Sequence, residues 1–559
     1  MTTTVESGGA ATGDVAEVAH DPAGPEHRRG RDWARPFGVG ALVAGASTAA
    51  GSLVAAIASV DSPVASVAGV VIDNVPNPIR RWAIRTFGTH DKFVLGIGIL
   101  VVVAVVATVV ARAAATRRWV VLTAIVGFAA VGLGAAERIG PGVLLSAFAS
   151  VVAAWVVFAV LLPHLPRPAS SVGPGPDTVT FSIDVAPAAV PMVVHRWDAA
   201  VDRREFTLKA GALWAGTAIV GSVAAAINRA ESASVTRARA QFPEIPPGSP
   251  DAAPTVPGAA SVGNGAVPYI TPTKDFYRID TAFLAPRVSL DDWRLEITGA
   301  VDRPLTLTYD ELLDRHIVER IVTLACVSNT VGGELVGNAT FLGVPLAELL
   351  DEVGVDTAVG TQVAMTSVDG WTCGFPTELA LDGRDAMVAI GMNGEPLTVE
   401  HGFPARMVVP GLYGYVSATK WLQRIELVGW EEFDGYWVPL GWSKEGPIKT
   451  QSRIDVPRSG ADVPAGPVVI AGVAWAQHRG IAKVEVRVDD GVWVDADLGD
   501  EVTVDAWRQW IHRWDAEPGE HRISVRATDH DGETQTAERS APAPDGATGH
   551  HTIVVRVAP

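Results

Sequence analysis

Apolar positions follow two regimes along this 559-residue chain. In the first 230 residues they form five long runs, at 37–60, 93–111, 119–136, 142–162 and 208–228. A helix needs about 20 such residues to cross the hydrocarbon of a bilayer, so the runs predict transmembrane helices rather than buried core helices. Small, polar and charged residues 1–32 ahead of them predict a disordered cytoplasmic tail. Four helices are expected within 33–166, a cytoplasmic loop over 167–202 and the fifth helix within 203–229. The next stretch, 230–266, is rich in Pro, Ala, Gly and Ser and predicts a flexible tether.

Beyond the tether the runs shorten. Over 267–432, β-branched segments mix with helical stretches at Tyr309 to Arg315 and Pro345 to Val353, an α+β pattern. Over 433–559, after a linker, the period falls to two. Strand-like segments lie at Val468 to Trp475, Lys483 to Val488, His521 to Ala527 and His551 to Val557, with turns such as Asp490-Gly491 and Asp531-Gly532 between them. This predicts an immunoglobulin-like β-sandwich. The expected architecture is an all-α transmembrane anchor, an α+β domain and a C-terminal sandwich.

Basic residues in the short flanks set the orientation. Arg28, Arg29, Arg31 and Arg35 precede the first run, Arg112, Arg117 and Arg118 follow the second, and Arg196, Arg203 and Arg204 precede the fifth. All three clusters share one side if the N-terminus is cytoplasmic, which puts the soluble half outside the cell membrane. Arg80, Arg81 and Arg85 run against this rule, and the apolar part of their loop, Val64 to Val75, is read as interfacial. Asp202-Arg203-Arg204-Glu205-Phe206-Thr207-Leu208-Lys209 resembles a twin-arginine export signal, which carries domains across already folded around a cofactor.

Composition removes several classes. A formal charge of −18 argues against a nucleic-acid partner. Two cysteines exclude a disulfide framework, a zinc ribbon and a cysteine-ligated iron–sulfur cluster. No histidine lies inside the five runs and no Cys-x-x-Cys-His occurs, so no haem is expected in this chain. An electron carrier would be another molecule.

The chemistry then centres on Cys326, which a β-branched run delivers to a strand end in Arg320-Ile-Val-Thr-Leu-Ala-Cys326-Val-Ser-Asn329. A thiolate there can be a ligand for a soft or high-valent metal, a nucleophile, or half of a disulfide with Cys373. Arg406 and Lys420 supply fixed positive charge, and Gly402, Gly411 and Gly414 permit close approach of backbone to a large ligand. Arg320 reads as an ordinary strand-end charge.

Taken in order, these segments resemble the sulfite oxidase family of molybdopterin enzymes over about residues 268–558. The resemblance rests on Asp275-Phe-Tyr-Arg278-Ile, Leu290-Asp-Asp-Trp-Arg-Leu-Glu-Ile-Thr-Gly299, Thr323-Leu-Ala-Cys326-Val-Ser-Asn329, Met392-Asn-Gly-Glu-Pro-Leu397, His401-Gly-Phe-Pro-Ala-Arg406 with Val409-Pro-Gly-Leu-Tyr-Gly414, and Lys420-Trp421. Pro447-Ile-Lys-Thr-Gln-Ser-Arg453 then leads into the sandwich, which corresponds to the family's dimerisation domain and implies a homodimer. The resemblance implies a molybdenum–molybdopterin cofactor with Cys326 as metal ligand. It implies Tyr277, Arg278, Asp369, His401, Arg406, Thr419 and Lys420 as cofactor-binding residues, with Arg278 also near the metal. It further implies two-electron oxygen-atom transfer on a small oxyanion, with electrons passing to an external carrier such as a cytochrome.

Two departures bear on the substrate. Sulfite-oxidising members follow the cysteine segment with Asn-Arg-Arg, whereas Asn329 is followed here by Thr330-Val331-Gly332-Gly333. The family's active-site tyrosine falls on or near Trp442, which cannot act as a phenol; Tyr436 and Tyr413 are the alternatives. A site with less charge and no phenol makes a neutral S- or N-oxide or a thioether a plausible substrate. A sulfoxide or N-oxide reductase, and a non-catalytic cell-surface binding protein, are the competing functions.

Overall fold

The computed structural model describes residues 25–58, 62–76, 91–114, 143–165, 199–229 and 233–559 apart from Asn264, Phe283 and Leu284, with short pieces between these runs. Residues 1–24 of the expected tail, Arg80, Arg81, Arg85, Arg118, Arg196 and most of the 167–202 loop lie outside the described residues. Among the described residues, four helices are long and apolar enough to cross a membrane: Trp33–Ala58, Lys92–Ala114, Leu144–His164 and Arg204–Ile227. Of the run at 119–136, only 119–124, 126 and 127 are described, and these are helical. The apolar stretch after the first long helix forms the shorter helix Pro63–Asn74.

Small residues let these helices approach closely, as expected where backbone contact replaces bulky interdigitation. A Cβ on Gly40 would lie 2.1 Å from Thr108 Oγ1, and Ser150 Oγ donates to Ser47 O at 2.7 Å. Val39, Leu42 and Val43 pack with Ala107, Ala111, Val157, Phe158 and Leu161. One end of the bundle collects cations. Arg35 Nη1 donates to His164 O at 2.8 Å, Lys209 Nζ lies 3.1 Å from His164 Nε2, and the Arg112 guanidinium sits 4.3 Å over Trp33. The other end meets the α+β domain, where Arg287 Nη1 donates to Ile227 O at 3.1 Å.

Residues 233–266 are not a free tether, contrary to the expectation from their composition. They begin with a helix, Ala233–Ala240, whose Arg237 pairs with Asp291 at 2.7 Å and with Asp310. Phe242 covers Gly391, and Val262 N donates to Gln509 Oε1 at 2.8 Å. Ala238 and Ala260 are wholly buried in the domain core. Scattered apolar residues such as Val235, Phe242, Ile245 and Val256 give this Pro- and Ala-rich segment enough anchors to lie down.

The α+β domain is built from two sheets. In the first, Val318–Ala325 pairs antiparallel with Val336–Pro345, which pairs with Met387–Met392; that strand also pairs Arg406–Val408. In the second, Leu422–Val428 runs parallel to Leu295–Gly299 and antiparallel to Gln362–Ser367, which forms a hairpin with Thr372–Pro376. The helix Leu346–Val353 buries Leu346, Leu349, Leu350 and Val353 at helical spacing and ends at Gly354, whose φ of 67° closes it in the left-handed region. Thr308 and Glu311 form a capping box on the short helix Tyr309–Leu313, a motif worth about 1 kcal/mol.

The C-terminal residues form two β-sheets over one core. Gly466–Trp475 joins Gln451–Val456 and Arg508–Ala516 in one sheet; Gly519–Asp529 joins Ile481–Val488 and His551–Ala558 in the other. Ile470, Trp510, Val484, Val525 and Val555, drawn from both sheets, pack together. This unit is stitched to the α+β domain at the strand that leads to Cys326. Trp507 N donates to Thr323 Oγ1 at 2.7 Å, Gln477 Nε2 to Thr323 O at 2.6 Å, and Trp507 Nε1 to Tyr269 O at 2.9 Å.

Candidate functional site

The ends of both sheets open onto one cavity. Cys326 follows the last residue of Val318–Ala325, a strand whose residues from Ile321 to Ala325 are all buried. Its N–H donates to Leu335 O at 3.0 Å, and Asn329 Oδ1 accepts from Leu335 N at 3.0 Å, so the chain turns back at once and leaves the thiol at the cavity wall. Burial pushes the Cys326 thiol up, while the Ser328 N–H, 3.4 Å from Sγ, opposes that. Both cysteines are free thiols, which removes the disulfide alternative.

Arg406 and Lys420 come from strand edges brought side by side. Met407 N donates to Thr419 O at 2.9 Å and Leu422 N to Ala405 O at 2.9 Å. Gly402, at φ 109°, fits between them: a Cβ there would lie 3.0 Å from Lys420 Cβ and 3.1 Å from Arg406 Cβ. Trp421 takes a left-handed φ of 50°, rare for a bulky residue, and is held by its indole N–H on Val399 O at 2.7 Å. This turn presents Lys420 to the cavity, with its ammonium 4.7 Å over the Trp421 ring.

Arg406 is 6% exposed, and its one described hydrogen bond runs from Nη1 to His401 O at 3.3 Å. Its Nε is buried with no acceptor, and burial lowers its pKa to about 10. Ser367 Oγ and Trp371 Nε1, also on residues of the cavity wall, are likewise buried without partners. A buried cation and two orphaned polar groups facing one cavity fit a large anionic ligand carrying hydrogen-bonding edges. Among the described residues, no three His, Cys, Asp or Glu side chains cluster as a metal cage. A metal at Cys326 would therefore take its other ligands from the cofactor or solvent.

Burial lowers the Lys420 pKa to about 8, with Asp280 pulling the other way. His401 is held neutral: burial and then the charges of Arg406, Lys420 and Arg278 lower its pKa to about 3. Its Nε2 lies 2.9 Å from Thr273 O, so Nε2 carries the proton and Nδ1 is left as an acceptor.

Tyr277, Arg278, Cys326, Asp369, His401, Arg406, Lys420 and Trp442, all singled out from the sequence, line this cavity together. Thr419 does not. Its buried hydroxyl faces Cys373 Sγ at 3.1 Å, beneath the cavity wall. Asp369 sits in the hairpin before Gly370 and accepts from Trp371 N at 3.2 Å. Arg320 points elsewhere, to Asp385 at 2.9 Å.

The expectation of a site without a phenol is also corrected. Tyr277 and Tyr415 both line the cavity, whereas Tyr413 and Tyr436 do not. Burial, and then the Cys326 charge, raise the Tyr277 pKa, so this phenol stays protonated beside the thiol. The Tyr415 hydroxyl lies 2.7 Å from Ser443 O and 3.1 Å from Glu445 O and is engaged with the backbone. Trp442 packs against Tyr415 and Trp437, with ring centroids 5.9 and 6.2 Å apart.

Sequence reasoning missed Asp280, Tyr415, Trp371 and Trp437. Asp280 is the most consequential: its side chain is 4% exposed and its Oδ2 lies 2.8 Å from Lys420 Nζ and 3.2 Å from Arg278 Nε. Burial opposes its ionisation, but Lys420 and Lys92 together outweigh burial and hold the carboxyl below the usual carboxylate range.

Residues 282–437 match the family model described as oxidoreductase molybdopterin binding domain. The mitochondrial sulfite oxidase of Drosophila melanogaster is 31% identical over 300 residues, covering 45% of this chain and 52% of that protein. The human mitochondrial sulfite oxidase is 29% identical over 304 residues, covering 46% and 55%. Nitrate reductase [NADH] 2 of Nicotiana tabacum is 34% identical over 178 residues, covering 27% and 20%. The chain thus spans about half the length of the sulfite oxidases it matches. Among solved structures, the sulfane dehydrogenase SoxCD from Paracoccus pantotrophus aligns with a TM-score of 0.45 and 26% identity, covering 53% of this chain and 83% of that one.

Proposed function

We propose that this chain, which belongs through residues 282–437 to the sulfite oxidase family of molybdopterin-dependent oxidoreductases, is a membrane-anchored enzyme transferring an oxygen atom to or from a small substrate outside the cytoplasm. The observation that carries the reading is the meeting of the Cys326 thiol with the unpartnered Arg406 Nε in one cavity. When bound, molybdenum–molybdopterin supplies oxygen-atom transfer coupled to a two-electron change, balanced by an external carrier such as a cytochrome. Cys326 would ligate the metal as thiolate, releasing its proton on binding. Arg406 and Lys420 would hold the cofactor's phosphate, and Ser367, Trp371 and Asp369 would meet the pterin edge. Tyr277 holds a proton beside Cys326, and Arg278 stands at the rim to orient the substrate.

The long apolar helices carry their side chains outward: Val101, Val102, Val105 and Val109 are each more than half exposed, as suits a lipid surface. With Arg35, Arg112 and Lys209 at the cytoplasmic end, the domain at the opposite end lies outside. Arg203-Arg204 at the start of the last long helix supports export of a domain already folded around its cofactor. The C-terminal two-sheet unit, read as an immunoglobulin-like sandwich, is the candidate dimerisation surface.

A second reading of the substrate rests on one observation. Trp371, Trp437, Leu440 and Trp442 line the cavity together, and residues 329–333 contribute no arginine. This wall suits a neutral thioether or S- or N-oxide better than a dianion.

Molybdenum and pterin analysis of full-length protein from molybdenum-sufficient cells tests the main reading. Near-stoichiometric content is expected, and content well below that refutes the enzyme assignment. Dye reduction with sulfite against dye oxidation with a sulfoxide then decides substrate and direction.

A further inference from the structure

The helical bundle does more than hold the domain beside a membrane: one of its side chains reaches a buried carboxylate of the cavity wall. Lys92, in the first turn of Asp91–Ala114, places Nζ 2.7 Å from Asp280 Oδ1, 2.9 Å from Asp280 O and 2.6 Å from Ala282 O. Three acceptors match the three N–H donors of an ammonium. The other oxygen of Asp280 holds Lys420 and Arg278, two of the cavity's cations. Asp280 is thus a bridge between the bundle and the cavity, which its own segment, Tyr277 to Thr281, lines.

Charge makes the bridge directional. Lys420 and Arg278 against Asp280 alone would leave one surplus positive charge; Lys92 raises the surplus to two before Arg406 is counted. An anion entering the cavity therefore meets lysine and arginine groups that a single carboxylate cannot neutralise, and a carboxylate pinned on its far side cannot swing into the cavity. A buried ion pair of this kind is costly to break from one side, because it leaves the remaining charge uncompensated.

We propose that Lys92 is a positioning residue for the cavity: it fixes Asp280 and the 277–282 segment, and through them Lys420 and Arg278, so that the cavity reaches its ligand-ready shape only when docked on the bundle. This rests on the cofactor reading above for the identity of the ligand, but not for the contact itself.

The test uses full-length protein in detergent with Lys92→Gln and Lys92→Arg. Hydrogen exchange over residues 276–282 is measured first, on protein stripped of cofactor, so that it is independent of the functional reading. Lys92→Gln is expected to speed exchange in that segment about tenfold or more, while exchange over 318–325 stays unchanged and Lys92→Arg restores the wild-type rate. Molybdopterin content of freshly purified protein is expected to fall several-fold in Lys92→Gln and to recover in Lys92→Arg. Unchanged exchange in Lys92→Gln overturns the proposal, and so does faster exchange with cofactor content left at the wild-type level. Wild-type protein with no pterin would sink the functional reading while leaving the exchange comparison to decide the contact.

Discussion

The floor and the mouth of the cavity are built by opposite rules. The floor gathers Cys326, His401, Arg406 and Lys420, each less than a tenth exposed, on the ends and edges of two sheets. The mouth gathers Trp437, Leu440 and Trp442 from the irregular chain that follows the last strand of the domain. The floor is charged and buried, and the Arg406 Nε there has no partner. The mouth is aromatic, half-exposed and satisfied by its own ring contacts. Charge is thus concentrated where a phosphate-bearing cofactor would lie and thinned where a substrate would enter, so cofactor retention and substrate choice can change independently.

Substitutions should separate the two regions. The largest effect is expected at Cys326: Cys326→Ser should abolish turnover and remove most of the molybdenum, with the circular-dichroism spectrum unchanged. Full metal content with normal activity would show that the thiol is not a ligand. Arg406→Met should lower pterin content about tenfold or more, because a shape-filling side chain restores packing without the guanidinium fork. Pterin bound as in wild type would move the anion site elsewhere.

A third outcome concerns stability of the cofactor-free protein. His401 titrates near 3 when folded against 6.5 as its ordinary value, so between these the unfolded chain takes up a proton that the folded chain refuses. Its neutral burial therefore favours folding above about pH 6.5, and that contribution is lost as pH falls towards 3. His401→Asn should flatten the fall of melting temperature over this range; a slope equal to wild type would mean that the imidazole is not buried as described.

The smallest effect is expected at the mouth. Trp442→Ala should change kcat/KM several-fold, with a different factor for sulfite than for a sulfoxide, while molybdenum and pterin stay at wild-type levels. Loss of cofactor in this variant would erase the distinction between mouth and floor.

Much of this contrast was legible in the chain. Cys326 could be found because an apolar β-branched run ends on it, and Arg406 and Lys420 because each sits in a short glycine- or tryptophan-marked segment that local order makes recognisable. The helical stretches expected at Tyr309 to Arg315 and Pro345 to Val353 form the helices Tyr309–Leu313 and Leu346–Val353. Asp280 was illegible for a physical reason: its partners lie 140 and 188 residues away, and a lone aspartate near an arginine carries no local mark of burial. The misreading of 233–266 has a related origin. Proline breaks regular helix and strand, and alanine buries little apolar area, but neither prevents a segment from docking wherever a phenylalanine or valine finds a groove. The hydrogen-bonding role of His401 was illegible too, because only the carbonyl of Thr273, 128 residues away, decides which ring nitrogen keeps its proton.

The docked 233–266 segment has one last consequence. A slack leash would trail free of the domain; this strap, fastened by Arg237, Phe242 and Val262, lies along it and becomes part of its surface. Under the proposed function, a visiting electron carrier would meet this strap as part of the domain's own surface.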